Sequence, residues 1–370
     1  MVNKISLFSL DPINTERQTE LDILKGFSIL FMVLVHCFEE FSTWPLAPKT
    51  STYVIEFLGS PPSAPVFMFL LGLGIVYSRN NDAKALFKRG LYLFLFAYAL
   101  NFFRDFLPNI IVYITTGNIE DYTEAVELFW GVDILQFAGI AFMFFGITKK
   151  YRFRNLYYLL ASIVFAGLNL VLAGACTGNH VIDSLLGLLW STNKDSWFPF
   201  LTWIIYPVFG YLFGQLLIYC KDKQVLYKLS FYVSFAVLIL FAEYSYLKGV
   251  DFGAVDGLFQ EGYYHHDIIG NITILAFVIC WASTVYFITP HIPYIIKRAL
   301  VRWSKNVTEI YCIHWMIISW SLIVLPTLSL PAIFIFYAIL CIVSDFISIQ
   351  YIKLKKGANF HFKKELPEYQ

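Results

Sequence analysis

Long apolar runs alternate with short charged, polar or Gly/Pro-bearing breaks along nearly the whole chain. A run of about 20 apolar residues is the length of a helix that crosses a bilayer. The runs predict ten spans, near 21–38, 62–78, 90–107, 129–147, 156–175, 199–219, 226–247, 267–289, 307–325 and 328–350. Pro326 and Pro331 alone divide the last pair, and a short apolar piece at 183–190 reads as an interfacial segment. The fold class expected is an all-α polytopic bundle spanning 21–350, preceded by a polar segment at 1–20 and followed by a basic tail at 351–370.

The charges between the runs give the bundle an orientation, because cytoplasmic loops collect Lys and Arg. With Lys228 counted beside its loop, 22 of the 27 basic residues fall in the two termini and alternate loops, including Lys149, Lys150, Arg152 and Arg154. Only Lys49, Arg104, Lys194 and Lys248 fall on the other side, and Lys25 lies inside the first span. Both termini are therefore expected in the cytoplasm. Residues 1–20 carry charges and no apolar core, so the first span is expected to stay as an anchor.

Composition agrees. The 370 residues are 58% hydrophobic and 14% charged, against about 45–50% and about 25% for soluble domains. A net charge of +1 disfavours a nucleic-acid partner; the lipid bilayer is the expected surrounding. The six cysteines form no CxxC and no Cys/His spacing suited to zinc, so no metal is expected. They read as packing residues, with a Cys37–Cys176 bridge as the alternative. Gly72-Leu73-Gly74 lacks the third glycine of a dinucleotide fingerprint.

Ionisable residues inside spans cost about 2.5–3.5 kcal/mol each on insertion scales, which makes each a functional candidate. Lys25 and His36 in the first span are eleven residues apart, about three turns, and so share one helix face. Lys25 then lies near the cytoplasmic end with Asp22 one turn below to neutralise it, and His36 lies toward the outer side. In the ninth span His314 follows Glu309 and is expected in the inner half of the membrane. Asp133 and Gln136 open the fourth span on one face, where Asp133 is placed either to orient a histidine or to favour the helix start. Lys84, Lys88 and Arg89 form a cytoplasmic cluster suited to phosphates, although the positive-inside bias alone also accounts for it. His266 and Asp267 start the eighth span and read as a sugar contact or a solvated loop.

Three of these segments resemble a known family. Leu21-Asp22-Ile23-Leu24-Lys25-Gly26 through His36 resembles the L-D-x-x-R/K-G…H opening of integral-membrane acyltransferases. Phe67-Met68-Phe69-Leu70-Leu71-Gly72 resembles their F-F-x-x-S-G region, and Tyr311-Cys312-Ile313-His314 their Y-L-x-H element. Lysine at 25 and leucine at 71 stand where arginine and serine are commoner, and the Arg-x-x-Arg of some members is not reproduced at Lys88 and Arg89. The families are acyltransferase family 3, which modifies cell-envelope glycans, and the relatives of heparan-α-glucosaminide N-acetyltransferase.

The resemblance implies a ten-span enzyme in a bacterial cytoplasmic membrane. It would take an acyl-CoA, acetyl-CoA foremost, as cytoplasmic co-substrate and a sugar or glycan hydroxyl or amine as outer acceptor. On that reading His36, Asp133 and His314 are catalytic, with His36 as acyl-accepting nucleophile or general base. Lys25, Lys84, Lys88 and Arg89 hold the donor, and Asp22, Gln136, Glu309 and His266 contact substrate. A secondary transporter with the same ionisable groups as a relay is the competing class, and an internal repeat that would favour it is not visible. Oligomeric state stays open.

Overall fold

The computed structural model describes residues 7–43, 49–192, 195–248, 263–325 and 327–365, with the side chains of 356–365 excepted. Among them lie sixteen α-helices and no strand. In chain order they are α1 (Thr19–Phe41), α2 (Thr50–Gly59), α3 (Ala64–Tyr77), α4 (Ala83–Asn101), α5 (Leu107–Thr116), α6 (Ile119–Trp130), α7 (Ile134–Lys150) and α8 (Asn155–Leu172). Then come α9 (His180–Leu186), α10 (Phe200–Trp203), α11 (Ile205–Tyr219), α12 (Lys223–Lys248), α13 (Ile268–Ile288), α14 (Tyr294–Lys305), α15 (Val307–Leu322) and α16 (Leu330–Glu365).

Eight helical segments among the described residues are long and apolar enough to cross a membrane, two fewer than the ten spans expected. The difference lies in α7 and α15, apolar helices of 17 and 16 residues. Gly131–Asp133 breaks the run expected at 129–147 and starts α7 only at Ile134, whereas α15 starts at Val307 as expected and ends at Leu322, three residues short of the run. The α5–α6 hairpin was not expected, because Glu120, Asp121, Glu124 and Glu127 make α6 read as a loop. The tail expected at 351–370 continues α16 as helix as far as Glu365. Pro326 and most of the loop before α13 lie outside the described residues.

Burial sorts the helices. The most apolar stretches of α1 and of α10–α11 are each 67% buried, whereas α12 is 17% buried. The first two are the core of the bundle and α12 is its lipid-facing wall. Close approach of α3 and α11 requires glycine: a Cβ on Gly72 would lie 1.8 Å from the Pro207 carbonyl oxygen, and one on Gly210 1.8 Å from that of Phe69. Small residues let helix backbones touch in this way where lipid supplies no hydrophobic drive. Gly26 does the same for α1, whose missing side chain admits the backbone of α14 at Leu300.

The segment before α1 is tied down rather than free. Ser9 and Ile13 N–H donate to the carbonyls of Tyr219 and Ile218, each at 2.8 Å, and Glu20 pairs with Lys223 at 2.5 Å. All six cysteines are free, with Cys37 buried in α1 and Cys176 exposed, so the bridge alternative is not formed.

Candidate active site

At the end of the bundle away from the N-terminal segment, a cavity of about 710 Å³ opens between α1, α2, the α5–α6 hairpin, α15 and the loops at 195–198 and 263–265. A volume of that order suits a small-molecule ligand. The loops are fixed to the bundle: Tyr263 Oη donates to the Ser60 carbonyl at 2.9 Å and Trp203 Nε1 to the Tyr264 carbonyl at 2.9 Å.

His36 forms part of the cavity wall and its Nδ1 lies 3.0 Å from Nε2 of His314, joining residues 278 positions apart. Behind it, Nδ1 of the fully buried His314 lies 2.9 Å from the Ile310 carbonyl. A carbonyl only accepts, so in the neutral pair His314 carries its proton on Nδ1 and leaves Nε2 as acceptor. His36 must then donate from Nδ1, and its lone pair is placed on Nε2. The two rings lie at 8° to each other, and the Trp315 ring packs on His36 with centroids 4.2 Å apart. The stack and the hydrogen bond fix the ring orientation, as a base needs.

Contact with His36 puts the two histidines at one level, so an outer-side His36 and an inner-half His314 do not hold together. Ser304 at the end of α14 already lies level with Asp22, whose carboxylate accepts its hydroxyl at 2.8 Å. Ten residues of rise from there bring His314 up beside His36 rather than leaving it near the basic end. His314 is not part of the cavity wall and meets the cavity only through the His36 ring.

Asp133 also lies in the wall, but it serves neither histidine directly. It starts α7, accepting from the Ile134 N–H, and its Oδ2 takes the Arg104 guanidinium and the Tyr311 hydroxyl, each at 2.6 Å. Arg104, 3% exposed, also binds Asp105 at 2.8 Å and stacks on Trp315 at 4.7 Å. A π-helical turn, Phe102–Phe106, presents Arg104 and Asp105 together. Pro108 explains the turn: it has no N–H for the carbonyl four residues back, that of Arg104, and its ring would crowd that group. Tyr311 and His314, three apart on α15, thus carry the two polar clusters on one helix face.

The remaining candidates lie elsewhere. Asp22 is engaged by Arg17 and Ser304 rather than by Lys25. Lys25 sits against the Phe67 ring at 5.7 Å, and among the described residues no carboxylate lies within ion-pair distance of it. Lys84 and Lys88 are exposed on α4, and the Arg89 guanidinium lies 4.3 Å over Phe142. Gln136 is fully buried, its amide donating to the Gly131 carbonyl at 3.3 Å, because Asp133 caps α7 instead of sharing its face. Neither Gln136 nor Glu309 reaches the cavity wall.

His266 is also not in the wall; the neighbouring His265 is. His266 turns inward, with Nδ1 2.6 Å from the Tyr263 carbonyl and Nε2 2.7 Å from the Tyr206 hydroxyl. Burial lowers its pKa to about 4, against the raising effect of the Tyr263 carbonyl and the Asn271 side chain.

A family model described as an acyltransferase domain matches residues 18–349. The chain belongs to acyltransferase family 3. No curated protein matches it. The match runs from the first turn of α1 into α16 and so takes in every wall of the cavity. Within this acyltransferase, the Lys-Gly step of the opening motif has a packing role, since Gly26 admits α14, and Gly72 of the second motif admits α11. The opening motif's histidine and the late motif's histidine meet in one dyad. Arg104 went unassigned in the sequence despite being one of only four basic residues on the acidic side of the charge map.

Proposed function

We propose that this membrane acyltransferase moves an acyl group, acetyl in the simplest case, from a cytoplasmic coenzyme A thioester to a hydroxyl or amine of a glycan on the opposite side. The observation that carries the reading is the His36–His314 pair, which leaves the His36 Nε2 lone pair at the wall of a ligand-sized cavity in a chain of this family. His36 Nε2 takes the proton of the acceptor O–H or N–H as that atom attacks the thioester carbonyl. The new C–O or C–N bond replaces the C–S bond, and the proton passes from Nε2 to the departing thiolate. The charge that develops on His36 is shared with His314 through their hydrogen bond. Trp315 lies in the cavity wall against His36, and its buried indole N–H has no hydrogen-bond partner among the described residues. That donor suits the oxyanion of the tetrahedral intermediate.

Donor handling belongs to the basic end. Lys25 lies about 16 Å of helix rise from His36 on the same helix, and Lys84, Lys88 and Arg89 stand at the start of α4. The double variant Lys84→Glu/Lys88→Glu is expected to raise the donor KM about tenfold while the acceptor KM stays unchanged. Initial-rate kinetics on correctly inserted protein check this, and unaltered donor kinetics would reduce the cluster to a topology signal.

Orientation has its own check. A cysteine placed at Tyr151 is expected to resist an impermeant thiol reagent in intact cells, whereas the exposed Cys176 is expected to react. Labelling at 151 would invert the map. The function itself is tested by incubating purified protein with radiolabelled acetyl-CoA and an envelope glycan fraction. Label transferred to glycan supports the reading, and acetyl-CoA left intact with every acceptor would refute it.

A further inference from the structure

The acidity of the cavity wall is larger than catalysis by His36 requires. Among its described residues are seven carboxylates and one guanidinium, Arg104, which is already held by Asp105 and Asp133. The other five are Glu39, Glu40, Glu56, Glu124 and Asp195. Glu39 and Glu40 follow His36 by three and four positions on α1 and so lie one turn above it. Glu56 comes from the facing α2, held close because Gly59, one turn later, has no side chain to meet Val35, the neighbour of His36.

Glu56 supplies a second and independent observation. Its residue surface is 5% exposed, it belongs to the cavity wall, and its Oε1 has no hydrogen-bond partner among the described residues. A buried carboxylate oxygen left unpaired is costly, and such atoms in folded proteins commonly await a ligand, water or ion. An acceptor oxygen is completed by a donor, either a hydroxyl or an ammonium group. A phosphate, sulfate or carboxylate on the same ligand would face acidic side chains and find, among the described wall residues, no ammonium or guanidinium that is not already paired.

We infer that the unit of the acceptor that enters this cavity is a sugar bearing hydroxyl or amine groups and no anionic group, and that Glu56 binds it by accepting a hydrogen bond from one of them. The inference rests on the acyl-transfer reading for its meaning but not for its test, because binding is measured with no acyl donor present. A site that hydrogen-bonds a sugar hydroxyl through a buried acid also rejects analogues unable to supply that donor.

The experiment is saturation-transfer NMR on the purified full-length protein with three probes: glucosamine, methyl glucoside and glucuronic acid. Glucosamine and methyl glucoside are expected to bind, and glucuronic acid at least about tenfold more weakly. Glu56→Gln keeps the side-chain shape while removing the charge. In a variant that elutes and melts like the parent, it should weaken glucosamine about tenfold and narrow the gap to glucuronic acid. Glucuronic acid binding as well as the other two would overturn the inference. So would binding by none of the three, or a Glu56→Gln profile identical to the parent's. If Glu56→Gln fails to fold, the three-probe ranking on the parent protein decides alone. Sugar binding as expected together with no label transfer from acetyl-CoA would instead strike the acyl-transfer reading and leave the binding site standing.

Discussion

Replacing His36 with alanine is expected to lower acyl turnover by about 10²–10⁴, the contribution of a positioned acid–base group. The protein should fold normally and bind its donor as before, because His36 is a wall residue whose imidazole makes one hydrogen bond among the described residues, to His314. On the proposed mechanism His314 acts through His36, and its variants should show a different signature. His314→Ala is expected to lower kcat with little change in either KM, and His314→Gln should restore part of the loss. A glutamine Oε1 can accept the bond from His36 Nδ1 that alanine cannot. A folded His36→Ala variant with activity within about threefold of the parent would reduce the dyad to packing.

Arg104 should govern stability as strongly as His36 governs rate. Its guanidinium holds Asp105 and Asp133, and all three side chains are at most 13% exposed. Removing one partner from a buried ionic cluster leaves the others uncompensated and costs about 3–5 kcal/mol. Arg104→Met is therefore expected to lower the melting temperature in detergent sharply. Adding Asp105→Asn and Asp133→Asn to it should recover much of the loss, because the stranded charges are removed as well. Such recovery would separate an electrostatic debt from lost packing on Trp315. A single variant as stable as the parent would mean that the cluster is not what fixes the π-helical turn and the start of α7.

The spans were legible because hydropathy registers what faces lipid or fills a bundle core. The run at 21–38 is α1 with a turn added, and the run at 226–247 is α12 almost residue for residue. What hydropathy could not register was a break inside an apolar run. The backbone turn at Gly131–Asp133 delayed the start of α7, and the end of α15 at Leu322 left it shorter than the span expected. The amphipathic α5–α6 hairpin was hidden for the opposite reason, since its acids resemble a loop, and of those on α6 only Glu124 lines the cavity.

At the site, the motif residues His36 and His314 were readable one by one, but their union was not. Helical periodicity orders residues on one helix and says nothing of which face of α1 meets which face of α15. Periodicity also put Asp133 and Gln136 on one face, whereas Asp133 is a capping residue with extended backbone and not the first residue of the helical face. Between His265 and His266 the sequence held no basis for choice; the inward hydrogen bonds of His266 to Tyr206 and Tyr263 decide which one the cavity receives. Arg104 carried a signal that was present and unused: an arginine on the side of the map where basic residues are scarce requires a partner, and it has two.

Transfer between opposite faces of a membrane is the central claim, and sealed proteoliposomes measure it most directly. Radiolabelled acetyl-CoA would be enclosed in the lumen and an acceptor glycan supplied only outside, with the protein inserted so that its termini face the lumen. Label on the outer glycan, lost in His36→Ala while the vesicles remain sealed to acetyl-CoA, is the result expected. Label that appears on glycan only when donor and acceptor share one side would contradict the account.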